Sequence, residues 1–292
     1  ERLGMGYAAL SKINPALVYC AVSGFGQDGA LASRPAYDQV IQGMSGVMSV
    51  TGDAHSAPLR VGYPVCDTVG GITAAFTICA ALVDARSSGR GRMIDVSMLE
   101  STLATMGWVV SNYLNAGTVP VPMGNENFTA APSGTFRTAE GLLNIAANES
   151  YQYEKLCDLL ERPDLKADTR FADRRVRKQN REAINREIQT VLLTRTAEEW
   201  ERLLIEAGVP AGRVLSVPEI LSHPHVRERE FITKFEDVDP PQTLTGGGYR
   251  VSGGEAVPPG PAPKLSEHTE SWLQKLGYSN DQIQELRSAG TI

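Results

Sequence analysis

Apolar runs and amphipathic segments follow one another in the first half of the chain, in the pattern of helices that flank short buried strands. Residues 5–13 carry apolar side chains at helical spacing, and residues 17–22 form a continuous apolar run that predicts a buried strand. Residues 37–50 predict a helix interrupted by two glycines, and residues 93–97 predict another strand. The pattern therefore predicts an α/β fold whose sheet is covered on both faces.

The segment around Asp67 combines an apolar run with a charged side chain. Residues 62–66 predict a short strand that ends at Asp67, and residues 68–85 predict a nearly uncharged helix. An aspartate there would lie at the carboxyl edge of the sheet, where α/β proteins place their ligands. The N–H groups of the following turn would point toward its carboxylate. Because aspartate is also a preferred helix N-cap, the local sequence leaves both a catalytic and a capping role open.

The composition changes after Gly117. Residues 118–133 are rich in proline, glycine and asparagine and predict a linker or an active-site loop. Residues 136–147 predict a hairpin with its turn at residues 139–141. Residues 229–263 contain strand-like pieces between prolines and glycines. Further helices are predicted at residues 98–115, 151–160, 181–193, 197–207, 267–276 and 280–289.

These elements predict two domains and a returning segment. We expect residues 1–117 to form a large Rossmann-like domain and residues 118–224 to form a smaller α+β domain. Residues 225–292 would be a returning arm with helices that pack on the large domain. A helix followed by a buried strand and a glycine-rich turn is half of an α/β unit. We therefore expect the first strands of the large domain to lie upstream of this chain.

Composition narrows the classes of function. Of the 292 residues, 42% are hydrophobic and 21% are charged, which is typical of a soluble enzyme. The net charge of −6 argues against binding to nucleic acid or to anionic lipid. The uncharged run of residues 68–83 is short for a bilayer and long enough for a buried helix, so we expect no membrane span. The four cysteines form no CxxC pair and the four histidines are scattered, which predicts a reduced, cytoplasmic protein without a metal centre.

Several motifs occur in a fixed order over essentially the whole chain. They are Glu1-Arg2-Leu3-Gly4, Ser23-Gly24-Phe25-Gly26, Arg34-Pro35-Ala36-Tyr37-Asp38, Val61-Gly62-Tyr63-Pro64-Val65-Cys66-Asp67-Thr68-Val69-Gly70-Gly71, Ser88-Gly89-Arg90-Gly91-Arg92, Ile94-Asp95-Val96-Ser97-Met98, Phe136-Arg137-Thr138-Ala139-Glu140-Gly141 and Ala207-Gly208-Val209-Pro210-Ala211-Gly212. Together they resemble the family III (CaiB/BaiF) CoA-transferases. The resemblance implies a Rossmann-like large domain that lacks its N-terminal strands here, and an interlocked homodimer.

The resemblance also implies a mechanism. Asp67 matches the family's nucleophile, which attacks a donor acyl-CoA and carries CoA to an acceptor carboxylic acid through a covalent aspartyl intermediate. The CoA thioester is then a substrate, and no separate cofactor is expected. A carboxylate is a weaker nucleophile than a thiolate. Positioning of the two reactants must offset this difference, and a well-held pair can lower the reaction barrier by about 7–11 kcal/mol.

Other residues are implied to bind substrate. Arg2 matches an arginine that contacts the CoA phosphates, and Tyr37 and Asp38 match positions that line the thioester pocket. Asn125 opens a segment that aligns with a glycine-rich loop of the formyl-CoA branch. Because this segment lacks the glycines, we do not expect formyl or oxalate specificity.

Arg60 lies seven residues before Asp67 and has two interpretations. It could pair with the second carboxylate of a donor such as succinyl-CoA, since a guanidinium binds carboxylates well. It could instead hold Asp53.

Two other functions remain open. The related α-methylacyl-CoA racemases carry a histidine thirty residues before the shared aspartate, and this chain has Tyr37 there. A phenol, with an ordinary pKa near 10, is a poor base at neutral pH, which favours transfer over racemisation or epimerisation. The third hypothesis is a non-catalytic protein that binds acyl-CoA.

Overall fold

Two strands that are distant in sequence pair at the centre of the first part of the molecule. The structure is a computed structural model that describes residues 3–253 and 260–292. Strand β1 (Tyr19–Ser23) lies parallel to β2 (Met93–Ser97), with Tyr19 opposite Met93. Both strands were predicted from their apolar runs and are confirmed. The helices of this part are α1 (Tyr7–Ile13), α2 (Asp38–Met44), α3 (Val65–Ser88), α4 (Met98–Thr105) and α5 (Trp108–Ala116).

The strand predicted at residues 62–66 is wrong. These residues form a bend followed by the first residues of α3, which begins at Val65 with Pro64 as its N-cap. Proline has no N–H to donate to a sheet ladder, and its restricted φ suits the start of a helix. Asp67 therefore lies in the first turn of a helix, without a strand immediately before it.

Helix α3 is more exposed than its apolar sequence predicts. Ile72, Phe76 and Val83 have 65%, 73% and 69% of their surface exposed. Among the described residues, α3 is the one helix that is long and apolar enough to cross a membrane by length and composition, and 22% of its apolar window is buried. The expectation of a buried helix is thus wrong for this chain taken by itself.

The long helix predicted at residues 98–115 is broken in two. Helix α4 ends before Gly107, whose φ of 52° lies in the left-handed region that favours glycine, and α5 begins at Trp108. A short 3-10 helix, Val47–Val50, likewise replaces the end of the helix predicted at residues 37–50.

A three-stranded antiparallel sheet forms the second half of the same compact unit, which spans Glu1–Arg213. The strands are β3 (Ser133–Arg137), β4 (Leu142–Ala146) and β5 (Ala211–Arg213). The predicted hairpin is confirmed. The helices here are α6 (Ser150–Leu159), α7 (Asp164–Ala167), α8 (Arg174–Gln179), α9 (Arg181–Leu192) and α10 (Ala197–Glu206), with a 3-10 turn at Thr169–Phe171.

The larger hydrophobic core packs between this sheet and its helices. Its fully buried members include Leu143 and Ile145 of β4, Leu156 of α6, Ile188 of α9 and Leu204 of α10. Leu143 and Ile145 point to one face because side chains alternate along a strand, so their neighbours occupy the opposite face of the sheet.

The remaining unit spans Val214–Ile292. Its strands β6 (Ile232–Phe235) and β7 (Gln242–Thr245) form an antiparallel pair. Its helices are α11 (Val217–Ser222), α12 (Pro224–Glu228), α13 (Thr269–Lys275) and α14 (Asn280–Ser288). The division of the chain into a large domain, a small domain and a returning arm stays a prediction.

Candidate active site

The Asp67 carboxylate projects from the first turn of α3. Asp67 is exposed, and its carboxylate makes no hydrogen bond and no ion pair with the described residues, 3–253 and 260–292. The N–H group of Thr68 donates to the carbonyl of Pro64 at 3.0 Å, so it does not hold the carboxylate as the sequence predicted. The helix N-terminus still favours a negative charge there by about 0.3–1 kcal/mol.

Asp38 anchors the start of α3 from the neighbouring helix α2. Its Oδ1 accepts a hydrogen bond from the N–H of Cys66 at 2.8 Å, and its Oδ2 accepts one from Nε2 of Gln42 at 2.7 Å. Both Asp38 and Gln42 are buried. Asp38 thus satisfies one of the free N–H groups of the helix terminus, in the manner of an N-cap supplied by another element. Its predicted place in the thioester pocket stays a prediction.

Gln42 fixes the segment that leads into α3. Its Oε1 accepts from the N–H of Val61 at 2.8 Å, while its Nε2 donates to Asp38 and, at 3.3 Å, to the carbonyl of Tyr63. The amide is therefore held in one orientation. Sequence reasoning missed Gln42; its spacing of four residues from Asp38 on a helix was the available signal.

Arg60 contacts Asp38. Its Nη2 lies 3.8 Å from Oδ2 of Asp38, and its side chain is half exposed. Asp53 instead accepts hydrogen bonds from the N–H groups of His55 and Ser56, which lower the pKa of its carboxyl. The interpretation that Arg60 holds Asp53 is therefore wrong. Arg60, Asp38 and the first turn of α3 form one group in which Asp67 is the carboxylate without a protein partner among the described residues.

The thiol beside Asp67 is turned inward. Cys66 is fully buried, and burial raises the pKa of its thiol. A buried protonated thiol is a poor nucleophile. Cys66 therefore does not compete with the exposed carboxylate next to it.

The other predicted residues lie in different surroundings. Tyr37 is the N-cap residue of α2 and is 83% exposed. Asn125 is exposed and lines a cavity. Arg2 lies outside the described residues. Among the described residues, no group of three metal-ligating side chains is arranged to hold a metal ion.

A cavity lies between α5, residues 118–128 and the three-stranded sheet. Its volume is about 750 Å³, within the range of small-molecule sites. Trp108 and Phe128 contribute a stacked aromatic pair with ring centroids 4.8 Å apart. Sequence reasoning identified the 118–133 segment as a candidate loop but did not find this cavity, because its walls come together only in the fold.

The sequence is similar to a known family and to several known proteins. The family model described as CoA-transferase family III matches residues 1–269. The acetyl-CoA:oxalate CoA-transferase of Acetobacter aceti is 35% identical over 269 residues, which cover 91% of this chain and 68% of that protein. The succinate–glutarate CoA-transferase of Agrobacterium fabrum is 33% identical over 94% of this chain and 69% of its own length. This chain thus spans roughly two thirds of the length of these relatives.

Solved structures give the same picture. A CaiB/BaiF family protein from Brucella suis superposes with a TM-score of 0.81 at 30% sequence identity, covering 94% of this chain and 72% of that one. The predicted α/β class is therefore confirmed.

Proposed function

The chain belongs to CoA-transferase family III, and we propose that it transfers CoA from a donor acyl-CoA to an acceptor carboxylic acid with Asp67 as the covalent nucleophile. The observation that carries the proposal is the state of that side chain. Asp67 is exposed and has no partner among the described residues, whereas the adjacent N–H of Cys66 is held by Asp38. A carboxylate that is oriented by its backbone but not engaged by protein donors is available to attack a carbonyl carbon.

The first half of the reaction loads CoA onto the protein. An oxygen of the Asp67 carboxylate attacks the thioester carbonyl of the donor. The carbon–sulfur bond breaks, the CoA thiolate departs, and a mixed anhydride between Asp67 and the donor acyl group remains. The thiolate then attacks the aspartyl carbonyl carbon of that anhydride. This step releases the donor acid as its carboxylate and leaves an aspartyl-CoA thioester.

The second half reverses these steps with a different acid. The acceptor carboxylate attacks the aspartyl-CoA thioester, the CoA thiolate leaves, and a new mixed anhydride forms. The thiolate attacks the acceptor's carbonyl carbon, which yields the acceptor CoA thioester and regenerates the Asp67 carboxylate. No net proton is gained or lost. An acid–acid exchange of this kind requires a carboxylate, because a serine or cysteine could not form the anhydride.

Arg60 supports a dicarboxylic donor such as succinyl-CoA. The Arg60 side chain is half exposed, and its Nη2 lies 3.8 Å from Oδ2 of Asp38. The other N–H groups of the guanidinium can therefore bind the second carboxylate of a donor. Arg60 belongs to the group that holds the first turn of α3. A carboxylate bound there would lie near the reacting aspartate.

A homodimer in the cytoplasm is part of the proposal. The exposed apolar side chains of α3 support an interface, since a monomer rarely leaves so large an apolar face in water. Light scattering after size-exclusion chromatography tests the dimer: a mass of one chain at micromolar concentration would contradict it.

Trapping of the intermediate tests the nucleophile. The protein is incubated with succinyl-CoA and hydroxylamine, digested, and analysed by mass spectrometry. A hydroxamate on Asp67 is expected, and its absence from an enzyme that turns over would overturn the proposal. D67N should lose both the adduct and turnover. D281N should keep both, because Asp281 is an exposed aspartate in the first turn of α14. Solvent deuterium at the α-carbon of the acyl-CoA would instead indicate racemisation.

A further inference from the structure

The cavity beside α5 has a floor of small side chains. Asn144 and Ala146 line it from β4, where they alternate with the core residues Leu143 and Ile145 and so lie on the other face of the sheet. Ser133 and Gly212 line it from the two neighbouring strands, where they lie opposite Ala146 and Asn144. Small residues on this face leave room above the sheet for a ligand.

The walls are apolar and partly aromatic. The Trp108 indole stacks on the Phe128 ring at an interplanar angle of 17°. Val109 and Val121 add aliphatic surface from α5 and from the 118–128 segment. A planar aromatic group that packs against this pair would remove apolar surface from water.

The described residues that line the cavity include no cation for an acidic ligand group, although Nζ of Lys178 lies 4.4 Å from the centre of the Phe128 ring. No lysine, arginine or histidine is among its lining residues within the described parts of the chain. The single ionisable lining residue is Glu126, whose carboxylate already accepts from Asn185 at 3.0 Å and pairs with Arg181 at 3.3 Å. A second carboxylate of a dicarboxylic acid would find no lysine, arginine or histidine among these lining residues with which to pair.

Consecutive contacts connect the cavity wall to the Asp67 turn. The N–H of Gly124 donates to the carbonyl of Gly52 at 2.6 Å, which attaches the 118–128 segment to the 51–60 loop. That loop ends at Arg60, which pairs with Asp38, and Asp38 holds the N–H next to Asp67. The wall of the cavity and the candidate nucleophile are thus connected through the 51–60 loop within the same unit.

We propose that this cavity binds the apolar, aromatic part of the acceptor, so that the enzyme forms the CoA thioester of an arylalkanoic monocarboxylic acid. The transfer step itself rests on the function proposed for Asp67. Donor and acceptor occupy the site in turn: the donor's second carboxylate contacts Arg60, and the acceptor's ring enters the cavity, whose lining holds no cation among the described residues. The acceptor is thus an aromatic monocarboxylic acid, whereas the donor carries a dicarboxylic acid.

Two readouts separate the cavity from the transfer chemistry. The first is tryptophan emission during titration with 3-phenylpropionate in the absence of CoA. We expect a saturable change that is lost in W108F and kept in W272F, because Trp272 lies in the other unit. The second is kcat/KM with succinyl-CoA as donor. Here 3-phenylpropionate should exceed glutarate by about tenfold or more.

A matched pair of variants completes the experiment. A146L fills the floor of the cavity and should lower kcat/KM for 3-phenylpropionate by about tenfold, while propionate stays within about twofold. A167L adds the same side chain at an exposed position of α7 outside the cavity and should change neither value.

The outcomes distinguish the two proposals. Transfer to glutarate, without use of 3-phenylpropionate and without an emission change, would overturn the cavity assignment and leave the Asp67 mechanism standing. An emission change without any thioester product or Asp67 adduct would overturn the mechanism and support the cavity as a binding site. An equal loss for both acids in A146L would also contradict the assignment.

Discussion

Exchanging the carboxylate of Asp38 and the amide of Gln42 tests how the first turn of α3, which carries Asp67, is held in place. In the native protein, Gln42 donates through Nε2 to Asp38 and accepts through Oε1 from Val61, so its amide cannot turn over without losing a bond. In D38N, the new amide can still accept from the N–H of Cys66, but its NH2 group then faces the NH2 group of Gln42. One buried donor loses its partner, which costs about 1–3 kcal/mol.

The Q42E single variant has the opposite fault. A glutamate oxygen would face Oδ2 of Asp38, where the native contact is 2.7 Å, and two acceptors would meet in a buried site. This repulsion should destabilise the protein by at least as much as D38N. In the double variant D38N/Q42E, the asparagine donates to the glutamate, and the glutamate still accepts from Val61. The bond between positions 38 and 42 is then restored with its direction reversed, whereas the 3.3 Å bond to the carbonyl of Tyr63 and the ion pair with Arg60 are lost.

Urea unfolding followed by circular dichroism measures the coupling. We expect each single variant to lose about 1–3 kcal/mol of unfolding free energy, and the double variant to lose less than the sum of the two single losses by about 1 kcal/mol or more. The hydroxylamine adduct on Asp67 should follow the same order, because the pair fixes the helix turn that carries Asp67. A double variant as unstable as the sum of the two singles would refute the assignment of Asp38 and Gln42 as one hydrogen-bonded pair.

Two further predictions concern the surroundings of α3. Iodoacetamide should label the partly exposed Cys20 before Cys66, because Cys66 is fully buried and burial raises the pKa of its thiol; peptide mass spectrometry over a pH series measures this, and equal labelling at neutral pH would contradict it. G91A should destabilise the protein by roughly 1–3 kcal/mol, because a Cβ there would overlap the backbone of Leu17, whereas G62A, whose Cβ meets open space, should unfold near the native urea midpoint.

The elements with the most regular patterns could be predicted from sequence. Strands β1 and β2 and the hairpin of β3 and β4 lie within about three residues of their predicted bounds, since a buried strand needs an unbroken apolar or alternating run. The break at Gly107 was missed because a glycine inside an apolar helical pattern does not reveal its φ. Pro64 was the signal that residues 62–66 are not a strand, and the apolar run around it concealed that signal.

The candidate site divides in the same way. Asp67, Asp38 and Arg60 could be selected from local motifs, because the chemistry of carboxylates and guanidinium groups is a property of the side chains. Their mutual arrangement could not, since Cys66 and Asp38 are 28 positions apart and the bond between them depends on how α2 packs on α3.

The family, the residue type of the candidate nucleophile and the α/β class are encoded in short stretches of the chain, and the sequence by itself determined them. The cavity was decided by tertiary structure. Its lining residues run from Val50 to Gly212, and the small residues of its floor read in sequence as ordinary strand positions. Which face of a sheet meets a helix, and which charges meet each other there, depends on packing between distant segments. Local sequence does not specify that packing.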